Sequence, residues 1–337
     1  MSDHGKWVSR GKGIRFRVGL SDNVPVIDFS RVLSGDLAER KALAKEIREA
    51  ATNVGFFYLS NHGISETIIE NAKAAMAAFF DLPHDEKMKI HYKNSPIHRG
   101  YVGAGNIKSD REKRGTDMHE AIELAEDLPD TDPDYLRGSK FHGPNIWPEK
   151  PPEFRDALAT YFEAQLELGR RMLSAFALAL DLDEDFFEPL YTRPMSRLRA
   201  CFYPPQDPDW DIKQLGIGAH KDFEIFTTVW ADQPGLQVLG THGDWIDIQP
   251  KAGTFVINIG DLMQRWTNDI FLSRPHRVIN LNTEKRYSLA QFFGVDYDVE
   301  FDAFPTIKAA EQRAKYPSIS CGAHIEERVG KAYYSET

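Results

Sequence analysis

Between Ser196 and Phe293 the chain carries seven short runs rich in β-branched and aromatic residues: SRLRACFY, FTTVWA, GLQVLG, DWIDIQP, TFVINIG, HRVINL and RYSLAQFF. Gly, Asp, Asn and Pro separate them. So many strand-like runs in about a hundred residues indicate a sandwich or barrel. The chemistry is expected where such strands hold side chains rigidly.

The first half reads differently. VPVIDFS is a short strand, and Ser34 is placed to cap a helix with Leu37, Leu43, Ile47 and Ala51 on one face. GFFYLS is a buried strand, followed by a helix from about Ser65 to Phe80. The segment 100–150, rich in charge, Gly and Pro, reads as irregular. Pro151 and Pro152 are placed to open a long helix through Phe154, Leu158, Phe162, Leu166, Met172, Leu173 and Phe176. Before all of this, residues 4–20 carry Lys6, Arg10, Lys12, Arg15 and Arg17 without an acid. The alternation Ile14, Phe16, Val18, Leu20 suits an edge strand. The expected division is an arm over 1–23, a helix-rich region over 24–195, a β core over 196–305, and a terminal helix or lid over 306–337.

Composition excludes several roles. With 41 Lys and Arg against 51 Asp and Glu, the chain of 337 residues carries a net charge of −10. That balance argues against a general polyanion binder, which needs a basic face to displace counterions. No apolar run approaches the roughly 18 residues a membrane span needs, and the polar start MSDHGKWVSR lacks a secretory pattern. Cys201 and Cys321 are the only cysteines, too few for a disulfide framework or a thiolate zinc site. A cytoplasmic protein is expected.

His220 and Asp222 are two apart in a strand-like run, so both can face one way. His276 follows at the start of HRVINL. Two imidazoles and a carboxylate on inward faces can form a facial triad that leaves positions open on an iron ion. A His-x-Asp alone means little: His242 and Asp244 form another, in GTHGDW, which reads as a hairpin turn. Context adds weight. Ten residues beyond His276, Arg286 and Ser288 share one strand face, where a guanidinium and a hydroxyl can converge on one carboxylate.

GIGAHKDF, GLQV, DWIDIQP, TFVINIGDLMQRWTND, SRPHRVIN and RYSLAQFF, in that order, resemble the core strands of the isopenicillin N synthase-like family of Fe(II)/2-oxoglutarate-dependent oxygenases. VPVIDFS, GFFYLSNHGI, HRGY and HGPNIWP are similar to that family's N-terminal region. The resemblance implies an α+β fold whose core is a double-stranded β-helix (jelly roll), flanked by helices mainly from the N-terminal half. It implies His220, Asp222 and His276 as iron ligands, Arg286 and Ser288 as the clamp on the distal carboxylate of 2-oxoglutarate, and Tyr203 beside that cosubstrate. With Fe(II), 2-oxoglutarate and O₂, the expected reaction is hydroxylation of an unactivated C–H bond of a small molecule, giving succinate and CO₂. The alternative is an Fe(II)/O₂ oxidase or cyclase of the same fold that consumes no 2-oxoglutarate; a barrel-fold binding protein without turnover is a third reading. Expected partners are a small-molecule substrate, with neither nucleic acid nor membrane, in a monomer or homodimer.

Two positions depart from the family pattern. Cys201 stands where Asn is common and reads as a core residue, and Lys221 stands where a small residue is usual. Strand alternation turns Lys221 away from the metal. Asp261 is expected to set loop geometry and His62 to be structural. His142, with Trp147, lies at the entrance or caps a turn, and Glu120 is balanced between substrate region and scaffold. Phe226, Trp230, Phe293 and the 100–115 loop, with Lys108, Arg111, Lys113 and Arg114, are expected to line the pocket. The tail beyond Glu311 is expected to form a lid or a dimer contact.

Overall fold

The alternating runs pair into two largely antiparallel sheets laid face to face. The structure, a computed structural model, describes residues 6–10, 14–18, 24–105, 117–206, 215–241, 243–280, 283–310 and 313–333. In chain order the strands are β1 (Lys6–Arg10), β2 (Ile14–Val18), β3 (Val26–Asp28), β4 (Phe56–Ser60), β5 (Gly100–Val102), β6 (Glu120–Ala125), β7 (Arg197–Tyr203) and β8 (Ile217–His220). There follow β9 (Phe226–Ala231), β10 (Leu236–Leu239), β11 (Trp245–Ile248), β12 (Thr254–Ile259), β13 (His276–Val278) and β14 (Arg286–Phe293), with β15 (Glu300–Phe301) and β16 (Ile319–Ser320) as a small outer pair. One sheet runs β3-β4-β12-β9-β14-β7-β6-β5, and the facing sheet β1-β2-β11-β10-β13-β8. This is the expected α+β jelly roll. All seven runs from Ser196 onward are strands. The strand expected over residues 14–20 forms as β2 but is not at the edge, because β1 pairs along its outer side and β11 along its inner side.

The helices are α1 (Leu37–Asn53), α2 (Glu66–Phe80), α3 (His84–Met88), α4 (Pro133–Leu136), α5 (Phe154–Ala179), α6 (Asp261–Trp266), α7 (Pro305–Ala309) and α8 (Cys321–Tyr333). Ser65 caps α2 by accepting from the Ile68 amide. Ser34 does not cap α1. Asp36, next to the first helical residue, accepts from the Ala38 amide instead, while Ser34 closes the preceding 3-10 turn. The long helix begins at Phe154, two residues beyond Pro152. Among the described residues, no helix is long and apolar enough to cross a membrane.

Segment 100–150 is not all irregular. β6 pairs with β7 along its length, from Glu120↔Phe202 to Ala125↔Arg197. Its sequence, EAIELA, favours helix by intrinsic propensity, and pairing with a formed sheet overrides that preference.

Strand periodicity sorts the eight-stranded sheet into two cores. One face packs on α1, α2 and α5, and the other on the six-stranded sheet. Phe226 and Phe293 stack 4.4 Å apart on the helix-facing side, against Phe176 of α5. Neither lines the barrel interior, contrary to expectation, because both lie one residue out of phase with Thr227 and Arg286. Trp230 shares their phase and sits under Lys73 of α2. α5 approaches this face closely through Gly169, where a Cβ would lie 2.5 Å from the Phe293 ring.

Candidate metal centre

β8 ends at His220, so Asp222 lies in the turn that follows the strand. Strand alternation therefore orients His220 but not Lys221 or Asp222. The turn itself is anchored: the Asp222 carbonyl accepts from the Asp261 amide at 2.8 Å, at the start of α6. Asp261 thus sets loop geometry, as its position suggested. Lys221 reaches across the same junction, with Nζ 3.4 Å from Gln264 Oε1 and 3.8 Å from Asp261 Oδ1. Its orientation comes from α6.

Pairing between β13 and β8 sets His276 directly opposite His220, ring centroids 4.3 Å apart, with a register shift before Val278↔Ile217. Asp222 Oδ1 lies 3.6 Å from His220 Nε2 and 3.5 Å from His276 Nε2. One ligating atom from each of the three residues falls within 4.8 Å of the others, the spacing a single ion requires.

Each ligating atom is aimed by a second contact. His220 Nδ1 donates to the Gly218 carbonyl at 2.8 Å, and His276 Nδ1 to the Arg274 carbonyl at 3.3 Å. Both rings therefore turn an Nε2 lone pair inward. Asp222 Oδ2 accepts from Thr227 Oγ1 and Asn258 Nδ2, each at 2.6 Å, which leaves Oδ1 for a metal. Burial pushes His220 down to about 4. For Asp222 burial acts the other way, but the two histidines hold the carboxyl well below its usual range. Burial likewise opposes protonation of His276, yet the Asp222 charge raises it. An anionic oxygen between two imidazole nitrogens is a donor set for a divalent cation.

Thr227 and Asn258 were missed by sequence reasoning. They pair with each other across β9 and β12. The available signal was a polar residue at an inward position of an otherwise apolar strand.

The second constellation lies on β14 and β7. Arg286 faces Tyr203 and Ser288 faces Cys201 across the two strands. The Arg286 guanidinium stacks over the Tyr203 ring at 4.5 Å, its Nε donates to the Gln233 carbonyl at 3.0 Å, and its Nη1 is buried without a partner among the described residues. The Tyr203 hydroxyl shares a hydrogen bond with Ser288, and burial pushes the phenol well above its ordinary pKa. A buried guanidinium edge beside two hydroxyls fits a carboxylate. Cys201 is a buried core residue, as expected, with burial raising its thiol.

Two residues back along β7, Arg199 binds Glu123 of β6 at 3.2 Å and donates to His119 Nε2 at 3.0 Å. His119 is buried, stacks on Tyr203 and donates to the Gly216 carbonyl; burial and Arg199 hold it neutral. This charged row also escaped sequence reading, because β6 was not recognised.

Other expectations resolve simply. Glu120 takes Lys87 and the Tyr101 hydroxyl on the helix-facing side, outside the site. His62 accepts from the Ile64 amide and packs on Phe255, a structural role. His142 bonds Ser139 in a turn, and Trp147 donates to Asp127. His242 and the basic residues Lys108, Arg111, Lys113 and Arg114 lie outside the described residues.

Comparison with known proteins adds to this geometry. Residues 24–150 match the model of the N-terminal region of the non-haem dioxygenase in morphine synthesis, and residues 194–295 match that of the 2OG-Fe(II) oxygenase superfamily. A 2-oxoglutarate-Fe(II) type oxidoreductase of Metarhizium majus is 36% identical over 94% of this chain and 89% of its own length. A homoarginine-6-hydroxylase of Arabidopsis thaliana is 33% identical over 93% and 95%. Among solved structures, a full-length Neurospora crassa protein in complex with alpha-KG and thymine superposes with a TM-score of 0.80 at 27% identity, over 96% of this chain and 99% of that one.

Proposed function

The chain belongs to the 2OG-Fe(II) oxygenase superfamily and is an Fe(II)- and 2-oxoglutarate-dependent dioxygenase; from that premise we propose that His220, Asp222 and His276 hold the iron and that Arg286, Ser288 and Tyr203 hold the distal carboxylate of 2-oxoglutarate. When bound together, iron and 2-oxoglutarate would use O₂ to oxidise a C–H bond, one oxygen atom entering the product and the other succinate, with CO₂ released. The observation that carries the assignment is the meeting of three inward ligand atoms within 4.8 Å.

The chain's own part is positioning. The Gly218 and Arg274 carbonyls hold both imidazoles with Nε2 inward, so that the neutral rings present their lone pairs to a metal. Thr227 and Asn258 occupy one carboxylate oxygen of Asp222 and so favour binding through the other. Arg286 sits in a barrel wall of Val229, Leu236 and Ile248, where a guanidinium–carboxylate pair is worth more than in water. Its fork orients a dicarboxylate with the other end free to face the triad.

The substrate is a small molecule oxidised by hydroxylation. Thymine and homoarginine, named with related proteins, are the first compounds to assay. Succinate formation from 2-oxoglutarate under Fe(II) and O₂ tests the assignment. His220→Ala, Asp222→Ala or His276→Ala should each abolish it with the fold intact. Arg286→Ala should raise the KM for 2-oxoglutarate on the order of 10²-fold, with Arg286→Lys recovering part. Turnover that continues without added 2-oxoglutarate would refute the clamp.

A further inference from the structure

Three side chains line up across neighbouring strands of the eight-stranded sheet, where β7 lies between β14 and β6. Arg286 of β14 stands directly opposite Tyr203, and Glu120, the first residue of β6, stands opposite Phe202. One further step along that second ladder brings His119 beside Tyr203, on the side away from Arg286. The contacts follow the register. The His119 ring stacks on Tyr203 with centroids 5.6 Å apart and an interplanar angle of 28°, and the Arg286 guanidinium lies 4.5 Å from the centre of the same ring. Lateral neighbours of this kind fix one another in a sheet. The middle member is the phenol whose hydroxyl meets Ser288.

His119 is itself held in one orientation. Its Nδ1 donates to the Gly216 carbonyl at 2.8 Å, and its Nε2 accepts from Arg199 Nη2 at 3.0 Å. A donor at one nitrogen and an acceptor at the other specify a single neutral tautomer and a single ring plane. Arg199 starts two inward positions before Tyr203 and reaches His119 past a row of small side chains, Ala121, Cys201 and Ser288.

The backbone that His119 grips also lies against Tyr203: a Cβ on Gly216 would be 2.9 Å from Tyr203 Cδ1. The Met118 amide donates to the Leu215 carbonyl and the Gly218 amide to Asp117 Oδ1, each at 2.8 Å. Segment 117–119 is therefore laced to 215–218, the stretch that leads into His220, and the Tyr203 ring is what both segments close upon.

We infer that His119 is a positioning residue for 2-oxoglutarate: it holds Tyr203 against Arg286, so that hydroxyl and guanidinium offer one fixed carboxylate site before the cosubstrate arrives. The inference rests on the assignment of Arg286, Ser288 and Tyr203 to the distal carboxylate. A preformed site spares a ligand the cost of ordering the side chains that bind it, so the benefit falls on affinity. The iron triad faces the other end of the dicarboxylate, so turnover of the filled site should change little.

The test titrates 2-oxoglutarate by calorimetry, without oxygen, into the full chain loaded with Fe(II), and takes KM and kcat separately from succinate formation. His119→Ala should weaken binding roughly 3- to 10-fold, the size of one aromatic contact. KM should rise in proportion, with kcat within about twofold of wild type. His119→Phe keeps a ring to stack but neither hydrogen bond, and should recover part of the loss. In a Tyr203→Ala background, His119→Ala should cost nothing further, because it acts through that ring. The inference is overturned by binding equal to wild type in His119→Ala, by a loss that adds in full to that of Tyr203→Ala, or by a fall in kcat with KM unchanged. Where His119→Ala fails to fold, His119→Phe decides: weaker binding than wild type supports the role, and equal binding overturns it. Arg286→Ala in the same titration separates the two failures. Unchanged binding there means that the clamp assignment is wrong, whereas binding lost there and kept in His119→Ala removes only the positioning role.

Discussion

Asp222 shows how single residues divide the work at the proposed metal centre. Its Oδ2 is held by two donors at 2.6 Å, so the carboxylate cannot rotate to offer both oxygens. Removing one donor should loosen the ligand without removing it. Asn258→Ala is expected to weaken iron binding by about 10- to 100-fold, the usual cost of losing a partner that orients a ligand. It should also cost about 1–3 kcal/mol of stability through the lost buried hydrogen bond. Metal titration followed by denaturant unfolding separates the two. Unchanged iron affinity would show that the ligand is held by Thr227 and the turn alone. Lys221 teaches the converse: strand phase predicted where it would not point, but its contacts with Gln264 and Asp261 come from a helix forty residues away.

At the scale of elements, two helices bear on the site from outside the barrel. α5 lies against β14 because Gly169 has no side chain, and a methyl group there would meet the Phe293 ring at 2.5 Å and the Tyr191 hydroxyl at 2.8 Å. Gly169→Ala improves helix propensity by about 1 kcal/mol, but the overpacking costs about 1–3 kcal/mol. Chemical denaturation should therefore show a net loss. α8 acts on the metal turn itself. Its Arg328 pairs with Asp261 and lies 5.0 Å over the Phe223 ring, so it holds both the residue after Asp222 and the residue whose amide binds the Asp222 carbonyl. Arg328→Ala is expected to lower iron occupancy several-fold at limiting metal, with Arg328→Lys restoring part. Iron-to-protein ratios after desalting measure this, and a ratio equal to wild type would sink it.

The whole molecule carries a pH dependence built from buried imidazoles. Burial holds His62, His98 and His324 at about 4 in the folded state, against an ordinary value near 6.5. Between those values the unfolded chain binds more protons than the folded one, so stability falls as pH falls from 6.5 toward 4. Each histidine contributes about 1–2 kcal/mol near pH 5. Asp247 acts oppositely: burial raises it to about 6, so its folded form takes up a proton that the unfolded chain refuses above 4. The three histidines together outweigh Asp247, and His119, also lowered by burial, acts in their direction, so these groups give a net loss. Urea midpoints measured from pH 7 to pH 4.5 should decrease steadily, and a flat profile would contradict the burial of these side chains.

Much of this was legible in the chain itself. Seven strands and the start of α2 near Ser65 follow from period and turn residues, which are local properties. The candidate residues at 220, 222, 276, 286 and 288 stood out through donor chemistry and spacing together with the family resemblance. What folding alone decided is which residues stand opposite one another. The pairing His276↔His220 joins strands more than fifty residues apart, and Arg286↔Tyr203 joins strands more than eighty apart. The same pairing recruited β6, whose residues prefer helix, and with it the row of Arg199, Glu123 and His119. It also turned Phe226 and Phe293 toward α5 and Thr227 and Asn258 toward the metal turn. A shift of one residue in register exchanges the two faces of a strand. Register depends on partners distant in the chain, so it is settled only when the sheets close.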